Sequence, residues 1–177
     1  MTESPATPAF VQRIPDGEDR LRDVCDTCGF INYVNPKIVG GSVVTFGDRI
    51  LFCKRAIEPR KGFWTLPAGF MEERETAEEG AMREAMEEAC AKIEIEGLLA
   101  CYSVPRISQV QLMYRARLVD PAIAPGPEST DVALLTWDEI PWSELAFPSV
   151  KWALEHFAAW KQGASAPFAN PPGSIYR

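Results

Sequence analysis

The hydrophobic positions of this chain fall into short alternating runs broken by two helical stretches. Apolar residues at every second place mark half-buried strands, and recurrence every three to four places marks a helix. The first strand signal lies in 31–44, where Asn35-Pro36 punctuates a turn and an apolar run continues to Val44. Gly40 and Gly41 inside it mark a bulge or a close approach of backbone. Phe46-Gly47-Asp48-Arg49 reads as a hairpin turn, and 50–55 returns as a strand with Lys54 facing away from Cys53 and Arg55. A loop carrying Pro59 follows, then an extended run, Trp64-Thr65-Leu66-Pro67, leading to a turn at Gly69. Residues 92–104 predict one or two strands. Residues 109–119 put Val110, Leu112, Tyr114, Ala116 and Leu118 on one side, which predicts a half-buried antiparallel strand. A last strand is expected at 132–137 and an amphipathic helix at 149–161. Residues 1–23 lack a sustained period and are expected to be extended or partly disordered, and the Pro- and Gly-containing tail from Gln162 is expected to be loosely held.

The other helical stretch, 69–91, is where the chemistry concentrates. Thr76 and Glu79 form a capping box, so a helix should begin near Thr76. Each residue turns about 100°, which places Glu84, Glu87 and Glu88 on one arc. Ala81, Ala85, Ala89, Met82, Met86 and Cys90 fill the other side as a core face. Like charges three or four apart on a helix cost a few tenths of a kcal/mol per pair, roughly, and only Arg83 offers local relief. One reading is a solvated acidic face. The other is a site for a hard divalent cation, which prefers carboxylate oxygens and would remove the repulsion.

Composition narrows the choice. A net charge of −7 argues against a nucleic-acid backbone as partner. An acidic protein still binds a phosphorylated compound when metal supplies positive charge. No apolar run reaches membrane-spanning length, and the first residues lack the basic and apolar regions of a signal peptide. The 5 cysteines have irregular spacing, so a reducing cytoplasm is expected rather than a disulfide framework. Cys25-Asp-Thr-Cys28-Gly29 has the form of one zinc knuckle. A closed structural site needs four ligands and no second pair exists, so Cys25 and Cys28 read either as a metal-free turn or as zinc ligands completed by another chain.

The order Gly69, Glu75, Arg83-Glu84, Ala85, Glu87-Glu88 resembles the Nudix box, with Cys90 where that motif has its second glycine. Cys25-x-x-Cys28-Gly29, Asn35-Pro36-Lys37, Cys53-Lys54-Arg55, Trp64 to Gly69, Pro125-Gly126-Pro127-Glu128-Ser129 and Glu139-Ile140-Pro141 resemble the zinc-ribbon-containing Nudix subgroup that includes FAD, ADP-ribose and NADH pyrophosphatases. That subgroup's first C-x-x-C is missing here. The resemblance implies an α/β (α+β) Nudix fold, a mixed sheet between helices, with an N-terminal segment 1–36 holding half a zinc ribbon, a hydrolase domain 37–162 and a tail 163–177. It implies a hydrolase that cleaves the pyrophosphate bond of a small dinucleotide, works in the cytoplasm as a homodimer, and needs neither nucleic acid nor membrane. Magnesium or manganese would be held by Glu84, Glu87 and Glu88, with Glu75 and Arg83 as a supporting pair. For the general base, Glu128 fits by loop position, with Asp131 just beyond, and Glu87 or Glu88 is the alternative. Arg55, Trp64 and Gly69 are expected at the substrate, and Phe63, Tyr102 and Tyr114 are further stacking candidates. Some members have lost catalysis and sense nucleotides instead. Those usually lose box acids, whereas every one is present here.

Overall fold

The computed structural model describes residues 9–174, and the chain divides into two units between Asn35 and Pro36. In the first unit β1 (Phe10–Arg13), β2 (Arg22–Cys25) and β3 (Ile31–Asn32) form an antiparallel sheet in that order. Phe10 pairs with Cys25 and Arg13 with Arg22. The start is thus partly extended, as expected, and its strands are paired rather than disordered over 9–23, while 1–8 lie outside the described residues. The pairing is non-local, so no period announced it. A side-chain staple supports it: Glu18 accepts from Arg22 Nε at 2.7 Å and from the Tyr33 hydroxyl at 2.6 Å, and the Arg22 guanidinium lies 5.2 Å from the Tyr33 ring centre.

The second unit is built on a seven-stranded mixed sheet. Its main path is β10 (Ser129–Leu135), β5 (Arg49–Arg55), β4 (Lys37–Phe46), β9 (Gln109–Leu118) and β8 (Ile93–Val104). Gly47 and Asp48 close the tight turn between β4 and β5, with Gly47 at φ 63°. Those strands pair only at Thr45–Ile50 and Phe46–Arg49 before they part. Into the gap come β6 (Trp64–Thr65), paired with β5, and β7 (Ala68–Phe70), paired with β4. This split in the sheet makes room for the site.

Helix α1 (Ala77–Ala89) covers one face and α2 (Pro148–Lys161) the other. Val44, Leu51 and Ala116 pack with Ala85 and Ala89 of α1. Phe52, Tyr102 and Met113 pack with Trp152 and Leu154 of α2. The sheet is thus sandwiched between helices, as the resemblance implied. β9 departs from expectation in two ways. It runs parallel to β4 and antiparallel to β8, and its second face is covered too: Met113 is buried and the Arg115 guanidinium lies 4.0 Å from the Trp160 ring centre.

The capping box of α1 is present in both directions, with the Thr76 hydroxyl accepting from the Glu79 amide at 3.2 Å and the Glu79 carboxylate from the Thr76 amide at 2.7 Å. Ala81, Ala85 and Ala89 are buried as expected, but Met86 is 46% exposed and Cys90 is exposed as well. The buried stripe is narrow because only alanines allow the helix to lie close on the sheet. Cys90 ends the helix in the left-handed region at φ 50°, and its amide and that of Ala91 bond back to Met86 and Ala85. The cap therefore forms without its usual glycine. The tail is also corrected. Phe168 exchanges hydrogen bonds with Leu99 and Cys101 at 2.8 and 2.9 Å, and the Asn170 amide makes two bonds of 2.8 Å to the backbone of Ser103. This segment covers the free edge of β8, a task that composition does not reveal. Residues 175–177 lie outside the described residues.

Candidate active site

The acids of α1 reach a cleft of about 1260 Å³ that opens where the sheet divides. Arg55, Gly69, Arg83, Glu84, Glu87, Glu88 and Glu128 all line it. Seven of the residues singled out in the sequence thus meet, brought by β5, β7, α1 and the loop before β10. Two do not line it. Glu75 stands behind Arg83, and Trp64 packs against the α2-side core with the Lys54 ammonium 5.5 Å from its ring centre. Trp64 belongs to β6, and of that strand's two residues it is Thr65 that lines the cleft. Tyr102 and Tyr114 are buried in the sheet, and Phe63 lies under the Arg60 guanidinium, so none of the other stacking candidates lines the cleft either.

Arg83 organises the acidic arc. Its Nε and Nη2 donate to Glu75 at 3.0 and 2.8 Å, a two-pronged pairing that fixes the plane of the guanidinium. Nη2 also donates to the Phe70 carbonyl at 2.9 Å. Nη1 donates to Glu84 at 2.8 Å and to Glu87 at 3.0 Å. The guanidinium beside Glu75 holds that carboxyl down at about 2. Gly80 makes room for this pair: a Cβ at Gly80 would come within 2.8 Å of the Glu75 carboxylate.

Glu84 and Glu88 are placed differently. Gly69 has no side chain because the Glu84 carboxylate occupies the space of one. Glu88 is 5% exposed, accepts from the Ala68 amide at 3.3 Å and is a hydrogen-bond partner of the Cys53 thiol. Burial pushes Glu88 up to about 8, and the nearby charges of Glu84 and Glu128 push the same way against Ala68 and Arg55. Burial also raises Glu84, with Glu87 and Glu128 adding to it against Arg83. Glu128 is brought here by its loop. Ala124 and Gly126 donate from their amides to the last carbonyls of α1, Ala89 and Glu88, both at 3.0 Å. A Cβ on Gly126 would overlap the Glu87 carbonyl, so only glycine lets the loop lie this close. Nothing in the sequence marks Gly126 beyond the motif and its place between Pro125 and Pro127.

The arrangement gathers more carboxyl groups than its own cations answer, and Glu88 meets the surplus by holding its proton up to about 8. Arg83 is already saturated by Glu75 and Phe70, and its contacts to Glu84 and Glu87 use a single nitrogen. The donor set therefore fits a hard divalent cation by chemistry. The three acids are not gathered into a ready-made cage, however: among the described residues no group of three or more His, Cys, Asp or Glu side chains is arranged to hold a metal. The expected trio shares one arc but is divided, with Glu84 and Glu87 turned to the guanidinium and Glu88 turned inward to Ala68.

The cysteine knuckle fails the corresponding test. The amide of Gly29 bonds the Cys25 carbonyl at 2.9 Å and closes the turn. The amides of Cys28 and Thr27 hold the Cys25 thiol below its ordinary range. The sulfur is thus favoured as thiolate, yet residues 1–35 contain no third cysteine and no histidine. Two sulfurs are half of a closed tetrahedral site.

The chain is similar to known proteins over most of its length. The model of the NUDIX domain matches residues 36–160, and the model of the Nudix N-terminal zinc ribbon matches 7–34. The structure of a NUDIX hydrolase from Nitrosomonas europaea superposes with a TM-score of 0.88 at 42% identity, covering 94% of this chain and 96% of that one. An ADP-ribose pyrophosphatase from Methanocaldococcus jannaschii is 27% identical over 135 residues, 74% of this chain and 78% of that protein. A MutT-like protein from Streptomyces ambofaciens is 35% identical over 102 residues, 58% of this chain and 64% of that protein.

Proposed function

The chain belongs to the Nudix family, and on that premise we propose that it hydrolyses the pyrophosphate bond of ADP-ribose or a related compound in which a nucleoside diphosphate is joined to a second group. The products are two monophosphates. The observation that carries this reading is the convergence of Glu84, Glu88 and Glu128 on one cleft, with Glu88 pushed up to about 8. The name of the archaeal relative supports the substrate class.

Magnesium or manganese held by Glu84, Glu87 and Glu88 would polarise the diphosphate oxygens and make a bound water more acidic. The chain's own residues do the rest. Arg83, fixed by Glu75, holds Glu84 and Glu87 on the wall of the cleft. Arg55 lies across from them, its Nε donating to the Pro59 carbonyl at 2.8 Å and its guanidinium 5.2 Å from the Phe147 ring centre. Held on two sides, it presents a fixed cation to an anionic substrate. The Glu128 carboxylate, which lines the cleft and is in no salt bridge among the described residues, receives the proton of the attacking water. Water adds across the bridge, one phosphorus–oxygen bond forms and one breaks, and the second phosphate leaves with the bridging oxygen.

The test is product analysis with ADP-ribose, FAD and NADH, each with magnesium or manganese. AMP and ribose 5-phosphate should appear from ADP-ribose. Absence of monophosphate from every member of the panel would contradict the reading.

A further inference from the structure

The end of the cleft away from the acids contains two glutamines that the chemistry above does not use. Gln109 and Gln111 stand two places apart on β9 and both line the cleft. Each is half-buried, and their only side-chain hydrogen bond among the described residues is to each other, from Gln111 Nε2 to Gln109 Oε1 at 3.2 Å. One bond between two amides leaves Gln111 Oε1 as a free acceptor and Gln109 Nε2 as a free donor. Turning both amides over exchanges these roles but keeps one of each polarity available. Neither amide is sealed from solvent, so a ligand with complementary edges would take the place of water on them.

The walls narrow what that is. On the sheet side the amides are flanked by Val39 and Met113, and the N-terminal part of α2 lines the same cleft with Val150 and Trp152. The apolar walls with a polar edge between suit a flat heterocycle, and Arg106 and Ser149 add polar groups to the same lining. The register gives the spacing. Gln111 is level with Val39 on β4, and Val39 is level with Phe70 on β7, next to Gly69 and the Glu84 carboxylate. Two strand spacings, about 10 Å, separate Gln111 from β7, a distance that a nucleoside spans from its phosphate to the edge of its base.

We infer that Gln109 and Gln111 are specificity residues that read the edge of the substrate's nucleobase, holding the base between the sheet and α2 while the diphosphate lies at the acids. This rests on the reading of the cleft as a nucleotide site. Both free groups match a base that carries a ring nitrogen acceptor beside an amino donor, as adenine does.

The experiment compares Gln109→Met and Gln111→Met with the parent protein. AMP and ribose 5-phosphate are the probes, measured by calorimetry, with kcat and KM for ADP-ribose alongside. Each substitution should weaken AMP by about three- to tenfold, leave ribose 5-phosphate unchanged, and raise KM without lowering kcat. Either variant alone suffices if the other fails to fold. Unchanged AMP binding, or equal loss for AMP and ribose 5-phosphate, overturns the inference, as does a parent protein that binds neither. A parent that binds AMP through these amides yet turns over no ADP-ribose sinks the hydrolytic reading and leaves this one standing.

Discussion

The acidic arc of α1 and the knuckle at Cys25 and Cys28 are both places where the sequence announces a cation, and they differ in what surrounds the donors. At α1 the carboxylates outnumber their partners. Glu84 and Glu88 are both raised, chiefly by burial, and Arg83 spreads one guanidinium over three acids. At the knuckle the donors are too few, and the unit is tied instead by Glu18, Arg22 and Tyr33. A surplus of carboxyl groups that ionise only with difficulty favours a counter-ion that would let them ionise. A half set of sulfurs already answered by amides creates no such preference.

Measurements on stability can break or sharpen that contrast. The largest effect concerns pH in the metal-free protein. Glu88 titrates at about 8 in the folded chain against about 4.3 in an unfolded one. Between those values the folded state holds a proton that the unfolded state has released, so stability falls as pH rises through this window and levels off above it. The loss is on the order of a few kcal/mol. Denaturant titration across that range should show the slope, and Glu88→Gln should flatten it. Next, magnesium at a hundred times its dissociation constant should stabilise the parent by about 2.7 kcal/mol and Glu88→Gln by much less. A zinc chelator should leave the melting profile unchanged. The ends of α1 give smaller effects of opposite sign. Thr76→Ala removes one arm of the capping box and should cost about 1 kcal/mol. Cys90→Gly relieves a left-handed residue and should gain about 0.5–1 kcal/mol. The smallest concerns the staple: Tyr33→Phe should speed proteolysis of the first unit while ADP-ribose turnover stays as in the parent.

The legible parts of the sequence were those written locally. The cap of α1, the shared arc of Glu84, Glu87 and Glu88, and the turn at Gly47-Asp48 each depend on residues within a few places of one another, and each was present. The Nudix resemblance supplied the fold that periodicity alone left open. What escaped depends on distant partners. Nothing near Phe168 says that it bonds β8, and nothing near Trp64 says that Thr65 rather than Trp64 lines the cleft. Met86 kept the right helical spacing but lies exposed beside the alanine stripe. The division of the acids between Arg83 and Ala68 escaped as well, because the amide of Ala68 comes from another strand.

The central claim is that the acids on α1 carry out hydrolysis rather than merely bind. Turnover of ADP-ribose by Glu87→Gln, measured together with its affinity for AMP, tests this most directly. The account predicts a fall in kcat of about a hundredfold or more with AMP affinity kept. A variant that turns over ADP-ribose at the parent's rate would contradict it.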